Sequence, residues 1–361
     1  MKRRLSILHT FLLLSCFTFF LSSCKTVNEL PTQPSEQISQ TETSEAAFST
    51  PTQAQTETVN SSRDIGHIGL GIESGWSADD VSAYMDYTGG EMTLPIFLES
   101  SGRVQTVGIG ILLFLDGKPQ PYRLEGESEY TYLHIFYPTS SRILENLYLT
   151  PVSGEVGESP DLYVMSLLRP DYYPSQGPAN TMTYTGGSVV AGLRLNIKAT
   201  PDQAIFPEAA VRLQNIQITQ KDCPYADVAG WSQDDFLQRN ESRSSVDGHP
   251  GNGANRIYGL TEESKVALHY ELWGSDRLQC DYVIFVDNVP IASAEGITIE
   301  APVISGKKTI IDATLDMTGF TGESVIYAVR VPRNYYASGG RMGYLQGESY
   351  FFLLAGADPD K

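Results

Sequence analysis

The sequence predicts an all-β protein of two tandem sandwiches made by internal duplication, set behind an export signal and an unstructured tether. Three observations carry this reading. Twenty Tyr and 32 Gly stand beside only 25 Lys and Arg, a balance that favours strands and turns over a helical bundle. Four short motifs recur in the same order across residues 64–361, which marks a repeat. The first 63 residues share neither the motifs nor the composition of the rest. With 41% hydrophobic and 19% charged residues, the chain can bury a core, which excludes a wholly disordered protein.

The first element is the signal. Lys2, Arg3 and Arg4 form a positive start, an apolar run follows from Leu5 to Leu21, and the segment closes on Leu21-Ser22-Ser23-Cys24. Charge, apolar length, small residues and Cys coincide as in an export signal. The pattern resembles the lipobox of bacterial lipoproteins. The resemblance implies that residues 1–23 are removed and that Cys24 becomes the lipid-carrying first residue. Cys16 fits less well, because Leu14 and not a small residue stands two before it. An uncleaved membrane anchor or an ordinary secretory signal uses the same run and is the alternative. Residue 25 is Lys and not Asp, unlike the inner-membrane retention signal of Gram-negative lipoproteins. The expected place is therefore the extracytoplasmic face of the cell membrane, in a Gram-positive bacterium, held by acyl chains.

The second element, residues 24–65, is lipidated Cys and tether. Of residues 25–63, twenty-seven are Ser, Thr, Gln, Glu or Pro and Phe48 is the sole aromatic, so the segment cannot bury enough surface to fold. Signal removal takes three of the 25 bases and none of the 43 acids, leaving the mature chain at net −21. Such a surface is repelled by anionic lipids and excludes nucleic acid as a partner.

The duplication organises the remainder into copies over 66–221 and 222–361. Gly75-Trp76-Ser77-Ala78-Asp79-Asp80 recurs as Gly230-Trp231-Ser232-Gln233-Asp234-Asp235. Phe114-Leu115-Asp116-Gly117-Lys118-Pro119 recurs as Phe285-Val286-Asp287-Asn288-Val289-Pro290. The stretch from Tyr163 to Tyr173 parallels that from Tyr327 to Tyr336, and Met182-Thr183-Tyr184 parallels Met342-Gly343-Tyr344. The pairs Asp116-Gly117 and Asp287-Asn288 read as hairpin turns, since these residues tolerate positive φ.

Within the first copy, 91–98, 104–115, 130–137, 144–150, 162–168, 188–198 and 211–219 read as strands, rich in Val, Ile, Leu, Phe and Tyr between Gly, Pro, Asp and Ser. Some seven short strands per copy resemble the immunoglobulin-like β-sandwich, with a closed barrel as the alternative. Cys223 and Cys280 are the thiols left in the mature chain besides Cys24, and an exported pair suggests a disulfide.

No recognised catalytic motif, phosphate loop or metal-ligand spacing is found in the sequence, so no catalytic residue, metal or cofactor is expected. Asp79-Asp80 and Asp234-Asp235 are explained as acids in a capping turn, and Trp76 and Trp231 as packing. The separation from Asp80 to Tyr87 is 7 residues but from Asp235 to Tyr258 it is 23. The second copy is therefore expected to carry an extra polar loop over 239–256, a usual place for binding. Its candidate contacts are Arg239, Arg243, Asp247, His249, Asn252 and Arg256, with Tyr173 and Tyr336 as exposed rings for stacking. The expected function is a non-enzymatic binding or adhesion module for a glycan or envelope protein. An envelope hydrolase, or an accessory or inhibitory subunit of a membrane complex, is the alternative.

Overall fold

The computed structural model describes residues 67–73, 84–101, 108–138, 142–171, 190–204, 206–224, 232, 240–246, 249–250, 255–258, 264–276, 279–320, 323–333 and 351–354. All fall within one compact unit, Val59–Lys361, and every regular element among them is a strand. The signal, Cys24 and the tether lie outside the described residues.

The first sandwich packs a three-stranded sheet, β1 (His67–Ile72), β3 (Met92–Ser101) and β7 (Arg142–Leu149), on a second sheet. That sheet runs β2 (Tyr84–Tyr87), β9 (Val190–Ile197), β8 (Asp161–Leu168), β4 (Ile109–Leu115) and β5 (Lys118–Pro119), with β6 (Leu133–Phe136) also on β4. In β3, Leu94, Ile96 and Leu98 alternate inward with half-exposed residues between them, as a strand with one wet face requires. They meet Ile109, Ile111, Leu113 and Leu115 of β4 in one core.

The second sandwich repeats this plan. One sheet is ordered β10 (Leu213–Asp222), β18 (Lys307–Asp316), β14 (Lys265–Gly274), β11 (Asn240–Val246) and β12 (His249–Pro250). The other is ordered β13 (Asn255–Tyr258), β20 (Phe351–Leu354), β19 (Glu323–Pro332), β15 (Cys280–Val286) and β16 (Val289–Pro290), with β17 (Ile299–Ala301) on β15. Its core joins Leu268, Tyr270 and Leu272 of β14 to Ile311, Leu315, Tyr282 and Ile284. The correspondence extends to strand direction. In each copy one strand lies antiparallel in one sheet (β1 on β3, β11 on β14), and a later one pairs parallel in the other (β2 on β9, β13 on β20). The two hairpin turns match as well, with φ of 49° and 79° at Asp116 and Gly117, and 49° and 67° at Asp287 and Asn288. Positive φ at both central residues is the type I′ geometry.

The inner sheets of the two sandwiches face each other. Strands β4, β8 and β15 are buried along their whole length, because residues pointing away from their own core enter a third one. There Leu112, Phe114, Tyr163 and Met165 of the first copy meet Val283, Phe285, Val325, Tyr327 and Val329 of the second. Register pairs Phe114 with Tyr163 and Phe285 with Tyr327, so these are equivalent positions. Phe114 and Phe285 touch edge to face, centroids 6.3 Å apart at 89°. Residues at equivalent positions of the two copies therefore meet at the seam.

Two sequence expectations are corrected. The strand expected over 211–219 forms, but as β10 it hydrogen-bonds to β18 of the second copy. The extra loop expected over 239–256 holds β11, β12 and β13, and β11 is the counterpart of β1. Trp76 and Trp231 of the two Gly-Trp-Ser motifs lie outside the described residues.

Candidate functional site

The outer face of the sheet containing β14 gathers polar side chains from four strands. Along β14, Val266, Leu268, Tyr270 and Leu272 face the core, so strand alternation sends Ala267, His269 and Glu271 outward. Register then sets the rows. Gln217 pairs with Asp312, Asp312 with His269, and His269 with Ser245, and directly opposed residues share a face. An amide, a carboxylate, an imidazole and a hydroxyl therefore form one line across β10, β18, β14 and β11.

This line is internally bonded. The Asp312 carboxylate accepts from Nδ1 of His269 at 2.6 Å; a carboxylate accepts, so Nδ1 is the donor. The other ring nitrogen, Nε2, lies 3.6 Å from Oε1 of Glu271. Lys308 donates Nζ–H to the same oxygen at 2.8 Å. In the neighbouring row the exposed Arg243 stacks over Trp273, guanidinium carbon to ring centroid 5.4 Å, a cation–π contact. The Gln217–Ser245 line borders a shallow depression of about 470 Å³ to which Asn215 and Thr314 add an amide and a hydroxyl. Ser, His and Asp stand in one row; the imidazole gives Nδ1–H to Asp312 and sets Nε2 3.6 Å from Glu271.

Of the residues expected to bind, Arg243 belongs to this face. His249 and Arg256 take strand positions away from it, opposite Val246 in β12 and Phe352 in β13 respectively. Arg239, Asp247, Asn252, Tyr173 and Tyr336 lie outside the described residues. Sequence reasoning passed over His269, Asp312 and Gln217, which are 43 and 52 residues apart along the chain; only strand register brings them together. Cys223 and Cys280, the pair expected to bond, are both buried. Cys280 packs into the second core as a small apolar side chain, and the Cys223 N–H bonds the Gly306 carbonyl.

A separate charged cluster sits at the seam. Asp281 is 3% exposed and its Oδ1 lies 3.2 Å from Nε of Arg333. Burial pushes the Asp281 carboxyl up to about 7; Glu300 and Asp116 push the same way, while Arg333 and Lys118 oppose. Desolvation disfavours the charged form more than the neighbouring cations favour it.

No family model matches the chain, and no curated protein matches it. Among solved structures it is similar to a chimeric titin Z1Z2-Z1Z2 tandem functionalized with a GRGDS peptide from fibronectin, at 12% identity over 81% of this chain and 100% of that one, TM-score 0.17. It is also similar to the N-terminal Ig1-2 module of the Drosophila receptor protein tyrosine phosphatase DLAR, at 11% identity over 76% and 94%, TM-score 0.20. The Salmonella enterica SafA pilin in complex with the SafB chaperone is a third, at 12% identity over 81% and 98%, TM-score 0.23. The strand order of the folded part itself shows two tandem β-sandwiches of one repeated plan.

Proposed function

We propose that this chain is a lipid-anchored, non-enzymatic binding module of the extracytoplasmic membrane face, and that the second sandwich holds a neutral glycan on its outer sheet. The observation that carries the ligand class is the Gln217–Asp312–His269–Ser245 line. It offers amide, carboxylate, imidazole and hydroxyl groups from four strands on one rigid surface, and sugar hydroxyls are donors and acceptors that such groups match. Charges on this face are largely matched already, His269 with Asp312 and Lys308 with Glu271, which favours an uncharged ligand.

Membrane attachment is proposed from Leu21-Ser22-Ser23-Cys24. Cys24→Ser should move the protein from the membrane fraction to the soluble one; retention in the membrane would sink the anchor. For the ligand, the mature chain is titrated by calorimetry with a panel of neutral oligosaccharides, beside Gln217→Ala and Asp312→Ala. At least one glycan should bind the native chain and bind each variant roughly tenfold more weakly, the usual scale for losing a buried polar contact at an interface. Binding unchanged in both variants, or no binding across the panel, would overturn the reading.

A further inference from the structure

The last strand of the outer sheet offers a second, different surface. β10 stands at the end of its sheet, and nearly all of its residues after Leu213 are exposed. Among the described residues its outer edge is occupied at the beginning alone. Val211 bridges Ala292 in parallel, the N–H groups of Arg212 and Leu213 donate to the Ala292 carbonyl, and Ala292 N–H donates to Ala210. The chain then leaves this edge through a turn closed by the Ser293–Gly296 bridge. Beyond that turn, among the described residues, no strand neighbours the outer edge of β10. A bulge between Gln214 and Gln217, with Asn215 at φ 53°, re-aims the edge, and residues 217–222 run on in regular register with β18. Edges of this kind are templates for strand addition.

A groove of about 870 Å³ lies beside the edge. Val211, Ile216, Ile218 and Ile299 give it an apolar lining, and Glu295 and Glu300 bring two carboxylates, the first accepting from the Ser293 hydroxyl and the second 3.3 Å from Arg333 Nη1, which lies outside the lining. Val211 is 66% exposed and Ile218 43%, so both have apolar surface to bury.

We propose that an extended segment of a partner protein, alternating apolar and basic residues, docks on β10 as an added strand. Ala292 shows in miniature how a strand sits there, and the incoming chain continues along 214–222 where residue 293 turns away. Its main chain bonds the open edge, its apolar residues cover Ile216 and Ile218, and its cations meet Glu295 and Glu300. The acidic lining selects a basic partner and disfavours a second copy of this chain, whose mature form carries net −21. This proposal does not depend on glycan binding, which uses the outward face of the sheet and not its edge.

The test is fluorescence anisotropy of the mature chain with a labelled eight-residue peptide of alternating Lys and Val, at physiological salt. Saturable binding is expected, lost when alternate peptide nitrogens are methylated and roughly tenfold weaker in Ile218→Lys. Glu295→Gln with Glu300→Gln provides a second route should Ile218→Lys melt below the native chain, and it should weaken binding as well. Absence of saturable binding overturns the proposal. So does equal affinity for the methylated peptide, which would show ionic adsorption to an acidic surface, and so does full affinity in the Gln double variant.

Discussion

Asn288 donates its Nδ2–H to the main-chain oxygen of Pro170 at 3.0 Å, tying the hairpin turn of the second copy to the end of β8 in the first. The same side chain accepts from the Tyr327 hydroxyl at 3.2 Å. The equivalent turn of the first copy has Gly117 at this place, which satisfies positive φ but makes no such bond. One turn therefore closes a hairpin and the other also clasps the seam. Asn288→Gly should keep the turn and lose the clasp, lowering stability by about 1–2 kcal/mol. Asn288→Ala should cost more, because φ of 67° strains a Cβ without the local bonding Asn supplies. Calorimetric midpoints of the two variants check the ranking.

Gly117 permits close approach across the seam. A Cβ there would collide with the Asp281 carboxylate, and φ is already +79°. Gly126, at φ +81°, has nothing within 4 Å of a built Cβ. Gly126→Ala thus measures the backbone cost alone, about 1 kcal/mol, and Gly117→Ala should exceed it by about 1–3 kcal/mol. Equal denaturant midpoints for the two variants would contradict the contact.

Stability should depend on pH through Asp281. Its carboxyl is raised to about 7 in the folded protein from 3.8, so between these values the folded state holds a proton the unfolded chain has released. Stability from this group is greatest near pH 4 and falls as pH rises towards 7. Urea midpoints taken at half-unit intervals should decline across that window in the native chain relative to Asp281→Asn, which has no proton to lose. A native profile that rises against the variant would reverse the assignment.

The two thiols give a redox prediction. Cys223 and Cys280 are 7% and 2% exposed, so neither should react with iodoacetamide until the protein unfolds, after which both should be alkylated without reductant. A cross-linked pair of tryptic peptides recovered without reductant would restore the disulfide the sequence suggests.

Most strands were legible because their turn chemistry and apolar runs are local. The Phe114–Pro119 and Phe285–Pro290 matches locate both hairpins, and Tyr163 and Tyr327 do occupy one position in the two copies. β11 was not legible. Asn-Glu-Ser-Arg-Ser-Ser-Val has neither the apolar alternation nor the β-branched content of a strand, and it is held by its pairing with β14. The polar line was hidden for a related reason: Gln217, Ser245, His269 and Asp312 become neighbours through registry across four strands. The seam had a trace that went unread. Ile109–Leu115 and Cys280–Val286 are nearly unbroken apolar runs, which is how a strand covered on both faces reads.

The touching pair Phe114 and Phe285 carries a consequence for the two halves taken apart. A single copy cut away would present Leu112, Phe114, Tyr163 and Met165, or their counterparts, to water, and water would drive that face onto any apolar surface it met. Joined in one polypeptide, each half carries the cover for the other's exposed face at high effective concentration.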